Sequence, residues 1–256
     1  MHSTNYVLAF VMTMTVGVAL VLALLSSSWK AKSKENEAIF NKRAILAAVK
    51  DHLGGMDPKT MSDEEVLEIF GQNVTQMALN MDGQEIDAAA VEAAGHKGGM
   101  AENIDMKKEK KKPEAERIRP LFVYKKDGKE FYILSIRGNG LWDEIWGYVA
   151  LESDWNTVAG AAFDHQGETP GLGAEIKDNT SWAAQFKGEK IFDNQGNYVS
   201  IAVVKGGAAP SNPHAVDGIS GATVTANGVG EMLERGLKYY LPYINKVDDS
   251  KKLSLN

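Results

Sequence analysis

Residues 121–138 read LFVYKKDGKEFYILSIRG, and the fold class follows from this stretch. Two runs rich in β-branched and aromatic residues flank Asp127-Gly128, a dipeptide that favours the tight turn of a β-hairpin. Three further runs of apolar and β-branched residues follow, and we expect each to form a strand: WGYVAL (146–151), TVAGAAF (157–163) and YVSIAVV (198–204). Because strands joined by a hairpin pair antiparallel, the sequence predicts a mostly antiparallel sheet.

Helical patterns lie on both sides of these strands. Residues 35–53 repeat apolar positions at helical spacing, and Ser62 opens a capping box that begins a second helix. Thr169-Pro170 is typical of the start of a third helix, which we expect to run toward Phe186. The apolar face of a final helix is formed by Val229, Met232, Leu233, Leu237, Tyr240 and Leu241. The predicted fold class is therefore α+β, a mostly antiparallel sheet domain with flanking helices.

An uncharged stretch precedes the folded region. Tyr6–Leu25 reads YVLAFVMTMTVGVALVLALL, and as a helix its twenty residues match a hydrocarbon core of about 30 Å. A cleaved signal peptide is the alternative, but residues 1–5 carry no Lys or Arg and the apolar stretch is too long. We therefore expect one retained, single-pass membrane helix. Lys30, Lys32 and Lys34 favour a cytoplasmic position for the chain that follows, although this charge rule is weak before a long domain.

The composition excludes several classes of function. The chain has 256 residues, 44% of them hydrophobic, and its formal net charge of −6 argues against nucleic acid as a partner. It has no cysteine, so disulfides, thiolate nucleophiles and iron–sulfur clusters are excluded. Its five histidines are scattered, and no metal site is predicted. Residues 138–143 (GNGLWD) lack the third glycine of a dinucleotide fingerprint, so we do not expect this chain to bind NADH.

The apolar periodicity weakens in the residues between the predicted membrane helix and the predicted sheet. From Asp82 to Pro120 the sequence is rich in Ala, Glu, Lys and Gly, and we expect a solvated loop. The five lysines within Lys107–Lys112 belong to it, with contact to anionic lipid as the alternative. We accordingly divide the chain into an N-terminal membrane anchor (1–29), a helical and partly mobile connecting region (30–120) and a C-terminal sheet domain (121–256).

Three glycine-rich loops lie at the ends of predicted strands and helices, where binding sites usually form. In DGISGATVT (217–225) the glycines let the backbone approach a ligand, and the N–H groups of the helix that follows are suited to a phosphate. Alternatively, Thr223 or Thr225 caps that helix with no ligand present. One cap residue is enough for a helix, however, and this loop offers Ser220 as well as both threonines. That redundancy favours a binding loop.

The other two loops add apolar surface and backbone donors. RGNGLWDEIWG (137–147) and DHQGETPGLGAE (164–175) each place large apolar side chains beside glycines, although such side chains are more often part of a core. Together the three loops offer surfaces for a flat ring, donors for its polar edge and a seat for a phosphate, which describes flavin mononucleotide (FMN). The candidate FMN-binding residues are Gly140, Leu141, Trp142, Thr169, Leu172, Gly173, Lys205, Ser220, Gly221, Ala222, Thr223 and Thr225. For Lys205, an ordinary surface lysine is the alternative.

These motifs resemble those of a family of flavin-carrying subunits in bacterial membrane redox complexes. The family includes the C subunit of the Na+-translocating NADH:quinone oxidoreductase and, more distantly, the G subunit of the Rnf electron-transport complex. Ser220–Thr225 (SGATVT) matches the S-G-A-T-x-T flavinylation motif, and Glu168–Gly173 (ETPGLG) and Gly138–Trp142 (GNGLW) match two more. The membrane helix fits as well, whereas residues 82–117 give no match.

The resemblance implies that FMN is joined covalently to Thr225 through a phosphodiester, which a separate flavin transferase makes from FAD. It also implies an electron-carrier subunit of a Na+-pumping complex in the bacterial inner membrane, whose partner subunits bind NADH and quinone. The FMN-binding domain (121–256) would be periplasmic, against the lysine argument, and no complete active site is expected on this chain. Two alternatives are an Rnf-type flavin subunit and a non-redox, membrane-anchored binding module in which Thr225 only caps its helix.

Overall fold

The computed structural model describes residues 3–254, with the side chains of Ala31 and residues 248–254 left undescribed. The first two residues of the predicted anchor and the last two of the predicted C-terminal domain therefore lie outside the described residues. The chain divides into two compact units, Met1–Asn41 and Lys42–Asn256.

The first unit is helical. Helix α1 (Thr4–Ala47) contains one segment that is long and apolar enough to cross a membrane, Thr4–Lys30. The predicted span Tyr6–Leu25 lies inside this segment. The helix expected at 35–53 is not separate from it, because no proline or glycine interrupts the chain between residues 26 and 47. Its predicted last turn is instead a 3₁₀ turn at Lys50–His52.

The second unit is built on a six-stranded sheet in which every pair of neighbouring strands is antiparallel. The predicted hairpin is confirmed, since Lys126 pairs with Lys129 across a turn whose Asp127 and Gly128 both have positive φ. The first two strands were missed because the first follows a helix with no turn residue between them and the second has only two residues. The strands are β1 (Val74–Asn80), β2 (Glu85–Ile86), β3 (Ile118–Lys126), β4 (Lys129–Asn139), β5 (Glu144–Leu151) and β6 (Val158–His165), in the order β2-β1-β3-β4-β5-β6.

The helices of this unit flank the sheet. They are α2 (Asp63–Asn73), α3 (Ala88–Ala93), α4 (Met106–Glu109), α5 (Glu175–Asp178), α6 (Thr180–Ala184), α7 (Thr223–Lys238) and α8 (Leu241–Ser254). The capping box that begins α2 at Ser62 is confirmed, with Glu65 as the reciprocal partner. The single helix expected from Thr169 to Phe186 is wrong. Turns occupy residues 170–174 and two short helices follow, the second capped by Asn179.

The predicted strand at 198–204 is also shorter than expected. Only Ala202–Val204 forms a strand, β7, and it pairs parallel with β8 (Ala215–Asp217) in a separate two-stranded sheet. Residues 198–201 lie outside β7, with one isolated antiparallel bridge between Phe192 and Tyr198. The turn that follows β7 lies opposite the loop that follows β8, and this arrangement frames a cavity described below.

The last part of the connecting region, from Asp82 to Pro120, is not the solvated loop that its composition predicts. It contains β2, α3, α4 and buried apolar side chains, among them Val91 and Met106. Glu109 is fully buried and accepts hydrogen bonds from His96 Nε2 (2.6 Å), Lys112 Nζ (2.6 Å) and Ile118 N (2.7 Å). Polar residues that pair with one another inside the fold leave no apolar periodicity, and this is why the sequence pattern misses the region.

Helix α7 packs against β4 at very short range, and its predicted apolar face is confirmed by the buried Val229, Met232, Leu233 and Leu237. Three glycines make this approach possible. A Cβ on Gly138 would lie 2.7 Å from Met232 Cβ, one on Gly236 would lie 2.6 Å from Ile136 Cγ2, and one on Gly228 would overlap the carbonyl of Asn139. The start of α7 is therefore held close to the end of β4, where the loop with Leu141 and Trp142 begins.

Candidate functional site

The loop at 217–225 leads into α7 without a side-chain cap. The N-cap residue is Ala222, which is buried, and no side chain accepts a hydrogen bond there. Within residues 3–254, the N–H groups of Thr223, Val224 and Thr225 have no hydrogen-bond acceptor. Neither threonine acts as a cap, so that alternative is wrong. The three open N–H groups, at the positive end of a 16-residue helix, are well suited to an anion.

The hydroxyl of Thr225 is buried against a carboxylate. Thr225 is 1% exposed, and its Oγ1 donates a 2.6 Å hydrogen bond to Oε2 of Glu168, which is itself 5% exposed. The other oxygen of Glu168, Oε1, accepts a 2.9 Å hydrogen bond from the backbone N–H of Trp142. No Lys, Arg or His forms an ion pair with Glu168 in the part of the chain that the structure describes.

Two predicted site residues, Gly140 and Gly173, make room for this carboxylate. A Cβ on Gly140 would overlap Glu168 Oε1, and a Cβ on Gly173 would overlap Oε2 and lie 2.7 Å from Thr225 Oγ1. Neither glycine has a positive φ, so the space around Glu168 is the reason for glycine at both positions. Glu168 was not among the predicted site residues. An acidic residue between glycines in a loop was the available signal, but acidic loop residues are usually solvated.

The aromatic and apolar residues of the other two loops lie at the surface beside Glu168. Trp142 is 69% exposed, and its Nε1 donates a 3.1 Å hydrogen bond to Thr169 Oγ1. Leu141 and Leu172 are also exposed, and Leu172 lies against Gly221, where a Cβ would be 2.9 Å from Leu172 Cδ2. A core role for these side chains is therefore excluded.

A cavity of about 460 Å³ is lined by residues of the 217–225 loop and of the turn that follows β7. Lys205, which follows β7, lies in its wall together with Ser220, Gly221 and Thr223. Thr225, Trp142 and Leu172 are not part of this wall. The structure therefore brings the predicted residues together in two adjoining groups, one around Glu168 and one around Lys205, and the contact between Leu172 and Gly221 joins them.

Part of the basic run lies beside this site rather than in solvent alone. Lys110 Nζ donates a 2.8 Å hydrogen bond to Asn139 Oδ1, and Lys107 Nζ lies 3.2 Å from Glu144 Oε2. Arg137 Nε donates to the same oxygen of Glu144 at 3.2 Å. These cations surround the ends of β4 and β5, which bound the loop that carries Trp142.

Comparison with known proteins identifies the kind of domain. Residues 140–238 match the FMN-binding domain family, a range that contains all twelve predicted site residues. It also contains Glu168 and the cavity around Lys205. The chain therefore contains a segment that is similar to FMN-binding domains.

Relatives that align over most of the chain identify the family to which the whole chain belongs. The C subunit of the Na(+)-translocating NADH-quinone reductase from Pseudomonas aeruginosa is 34% identical over 86% of this chain and 89% of its own length. The corresponding protein from Vibrio vulnificus is 33% identical over 91% of this chain and 93% of its own. The chain therefore belongs to the family of the C subunit of the Na(+)-translocating NADH-quinone reductase, an oxidoreductase complex.

Solved structures agree in fold. The crystal structure of the C subunit from Parabacteroides distasonis superposes with a TM-score of 0.70 at 35% identity, covering 84% of this chain and 96% of that one. The crystal structure of NqrC from Shewanella oneidensis gives a TM-score of 0.67 at 28% identity over 86% of this chain and 99% of that one. These matches confirm the α+β fold with its antiparallel sheet and flanking helices.

Proposed function

We propose that this chain is a single-span, membrane-anchored electron-carrier subunit of a Na+-translocating NADH:quinone oxidoreductase, with FMN joined to Thr225 through a phosphodiester. The observation that carries the proposal is the position of the Thr225 hydroxyl. It lies at the start of α7, caps nothing, and is adjacent to three N–H groups that have no acceptor among the described residues. A phosphate esterified to this oxygen would lie at the helix end that stabilises negative charge.

The two adjoining groups of residues, one around Glu168 and one around Lys205, suit FMN. The cavity of about 460 Å³ is within the usual range for a small-molecule site, and Lys205 and Ser220 in its wall suit the polar parts of the cofactor. The exposed Leu141, Trp142 and Leu172 offer apolar surface for the ring. Bound FMN supplies one-electron redox chemistry, and the protein tunes it through the charges and donors nearby. Covalent attachment keeps the cofactor on the carrier between successive electron arrivals.

The partners follow from the family. Other subunits of the complex would bind NADH and quinone, and a separate flavin transferase would attach FMN using FAD. The relatives described above are named as the C subunit of the sodium pump, which favours that complex over the Rnf-type alternative. The apolar segment Thr4–Lys30 supports membrane anchoring. The family implies that the membrane is the bacterial inner membrane and that the FMN-binding domain is periplasmic.

Attachment is tested by producing the full chain in membranes together with an active flavin transferase and measuring the intact mass. We expect an increase of one FMN minus one water, located on Thr225 by peptide mapping. Thr225→Val should abolish the increase and leave the fold intact. Thr180→Val, at an exposed threonine that begins α6, is the matched control and should keep it. An unmodified Thr225 in the wild-type chain, with the transferase active on another acceptor, would contradict the proposal.

Orientation is tested with single-cysteine labelling, which is direct because the chain has no cysteine. Asn194→Cys places a thiol at an exposed turn between Ile191 and Tyr198. In intact spheroplasts we expect a membrane-impermeant maleimide to label this thiol as fully as it does after lysis. Labelling only after lysis would place the domain in the cytoplasm, as the lysines after the membrane helix predict.

A further inference from the structure

The Thr225 hydroxyl and the Glu168 carboxylate lie at the distance expected of a nucleophile and the base that activates it. Thr225 Oγ1 has one hydrogen-bond acceptor among the described residues, Oε2 of Glu168 at 2.6 Å. A neutral hydroxyl is a weak nucleophile, and an adjacent group that accepts its proton is the usual means of activation. The Trp142 N–H holds Oε1 at 2.9 Å, which orients the carboxylate as the third group of such an arrangement.

The surroundings of Glu168 suit a carboxylate that acts as an acceptor. It accepts hydrogen bonds from two donors and, within residues 3–254, has no cationic partner that would neutralise its charge. The backbone N–H of Glu168 donates to His165 Nδ1 at 3.1 Å, which fixes the start of the turn independently of Thr225. Burying a carboxylate without a cationic partner costs free energy that only hydrogen bonds can offset.

We infer that Glu168 is the residue that accepts the proton of Thr225 when the flavin phosphate is attached. This inference rests on the proposed attachment at Thr225. In the step, Thr225 Oγ1 attacks the phosphorus atom of FAD that bears the ribityl group, and a new O–P bond forms. The bond from this phosphorus to the bridging oxygen breaks, and AMP leaves with that oxygen. The proton of Thr225 passes to Glu168 Oε2, and no electrons are transferred.

Residues 171–173 cover the Thr225 hydroxyl. They lie next to Glu168, but the hydrogen bonds that hold Glu168 do not depend on them. Gly173 lies over the hydroxyl, since a Cβ there would be 2.7 Å from Oγ1, and Leu172 lies against Gly221. Residues 171–173 must therefore shift to admit FAD to a hydroxyl that is 1% exposed. The contacts of Glu168 with Trp142 N–H and His165 do not involve residues 171–173, so such a shift does not have to break them.

The test is the initial rate of attachment to the full chain, measured by intact mass at several acceptor concentrations with excess FAD and purified transferase. Glu168→Gln preserves shape and can still accept a hydrogen bond from Thr225, but it cannot take up the proton. We expect the maximal rate to fall by about 100-fold with little change in the acceptor KM. Glu231→Gln, at an exposed position of α7, is the matched control and should leave both values unchanged.

Two further variants separate proton transfer from positioning. Glu168→Ala opens space for a small carboxylate, and added formate should raise its rate in proportion to formate concentration. Glu168→Asp keeps a carboxylate and should be faster than Glu168→Gln even if both are less stable. Wild-type rates in Glu168→Gln, no formate response, or equal rates for Glu168→Asp and Glu168→Gln would each overturn the inference. A wild-type chain that gains no FMN would overturn the proposed function instead.

Discussion

Glu109 and Glu168 are both buried glutamates in segments that lack regular sequence patterns, yet their surroundings differ. Glu109, 0% exposed, receives hydrogen bonds from His96, Lys112 and a backbone N–H. Glu168 receives them from a hydroxyl and a backbone N–H and has no cationic partner in the described structure. Glu109 is therefore paired with cationic and backbone donors inside the fold, whereas the carboxyl group of Glu168 faces the Thr225 hydroxyl without a cationic partner.

The hydrogen bonds around Glu109 fix the tautomer of His96 and lower the pKa of Glu109. Asp105 N donates to His96 Nδ1 at 3.1 Å, so the proton of a neutral His96 is on Nε2 and points to Glu109. Burial alone would raise the pKa of Glu109, but hydrogen bonds from Lys112, Ile118 N–H and His96 outweigh it and hold the pKa below its ordinary value. We interpret this cluster as structural, because its hydrogen-bonding groups are all paired within the region.

Among variants that test the difference between the two glutamates, we expect the largest effect from one that crowds Glu168. Gly173→Ala places a methyl group against Oε2 and Thr225 Oγ1, and displacing the pair should reduce the rate of flavin attachment by about 100-fold. Gly167→Ala is the control in the same loop, since a Cβ there meets nothing within 4 Å and its φ is not positive. Equal attachment rates in the two variants would show that the geometry around Glu168 is unimportant.

A smaller effect, on stability alone, is expected for Glu109→Gln. The variant loses the charge that pairs with Lys112 and His96, and its free energy of unfolding should fall by about 2 kcal/mol in a denaturant titration. Flavin attachment should stay at the wild-type rate. Glu114→Gln, at an exposed position of the same region, should change neither quantity measurably. Impaired attachment in Glu109→Gln with unchanged stability would reverse the roles of the two glutamates.

The same titration repeated at falling pH tests the role of Glu109 by the sign of its pH dependence. Because the pKa of Glu109 is lower in the folded chain than in the unfolded chain, its contribution to stability is present above the ordinary glutamate value. It is lost as the pH falls through the folded-state pKa. We therefore expect the difference in unfolding free energy between wild type and Glu109→Gln to shrink in this acid range. A difference that grows there would contradict the assignment.

The sequence predicts the parts of the fold that depend on local sequence patterns. The hairpin at Asp127-Gly128, the apolar span within α1, the apolar face of α7 and the capping box at Ser62 each follow from local spacing or turn chemistry. It misses the order in residues 82–120, where burial comes from pairs such as His96 and Glu109 rather than from a periodic face. Long-range pairing of polar residues has no signature in a single sequence.

In the candidate site, too, local motifs are predicted from the sequence and long-range contacts are not. Glycines, hydroxyls and the matching motifs locate the three loops, but not the contacts between them. The hydrogen bond from Thr225 to Glu168 joins residues that are 57 positions apart in the chain, and so neither residue alone indicates it. The separation of the cavity around Lys205 from the group of residues around Glu168 likewise depends on which loops pack together.

The close contact between α7 and β4 has a consequence for electron transfer over distance. With Gly228 seated on the backbone of Asn139 and Gly236 on Ile136, the helix cannot slide or tilt on the strand without steric overlap. Thr225 therefore moves with the sheet as one rigid body. If FMN is attached to Thr225 as proposed, a change in its tunnelling distance to redox partners would arise from rotation about the bonds of its linkage or from displacement of the whole domain, and not from motion of the helix.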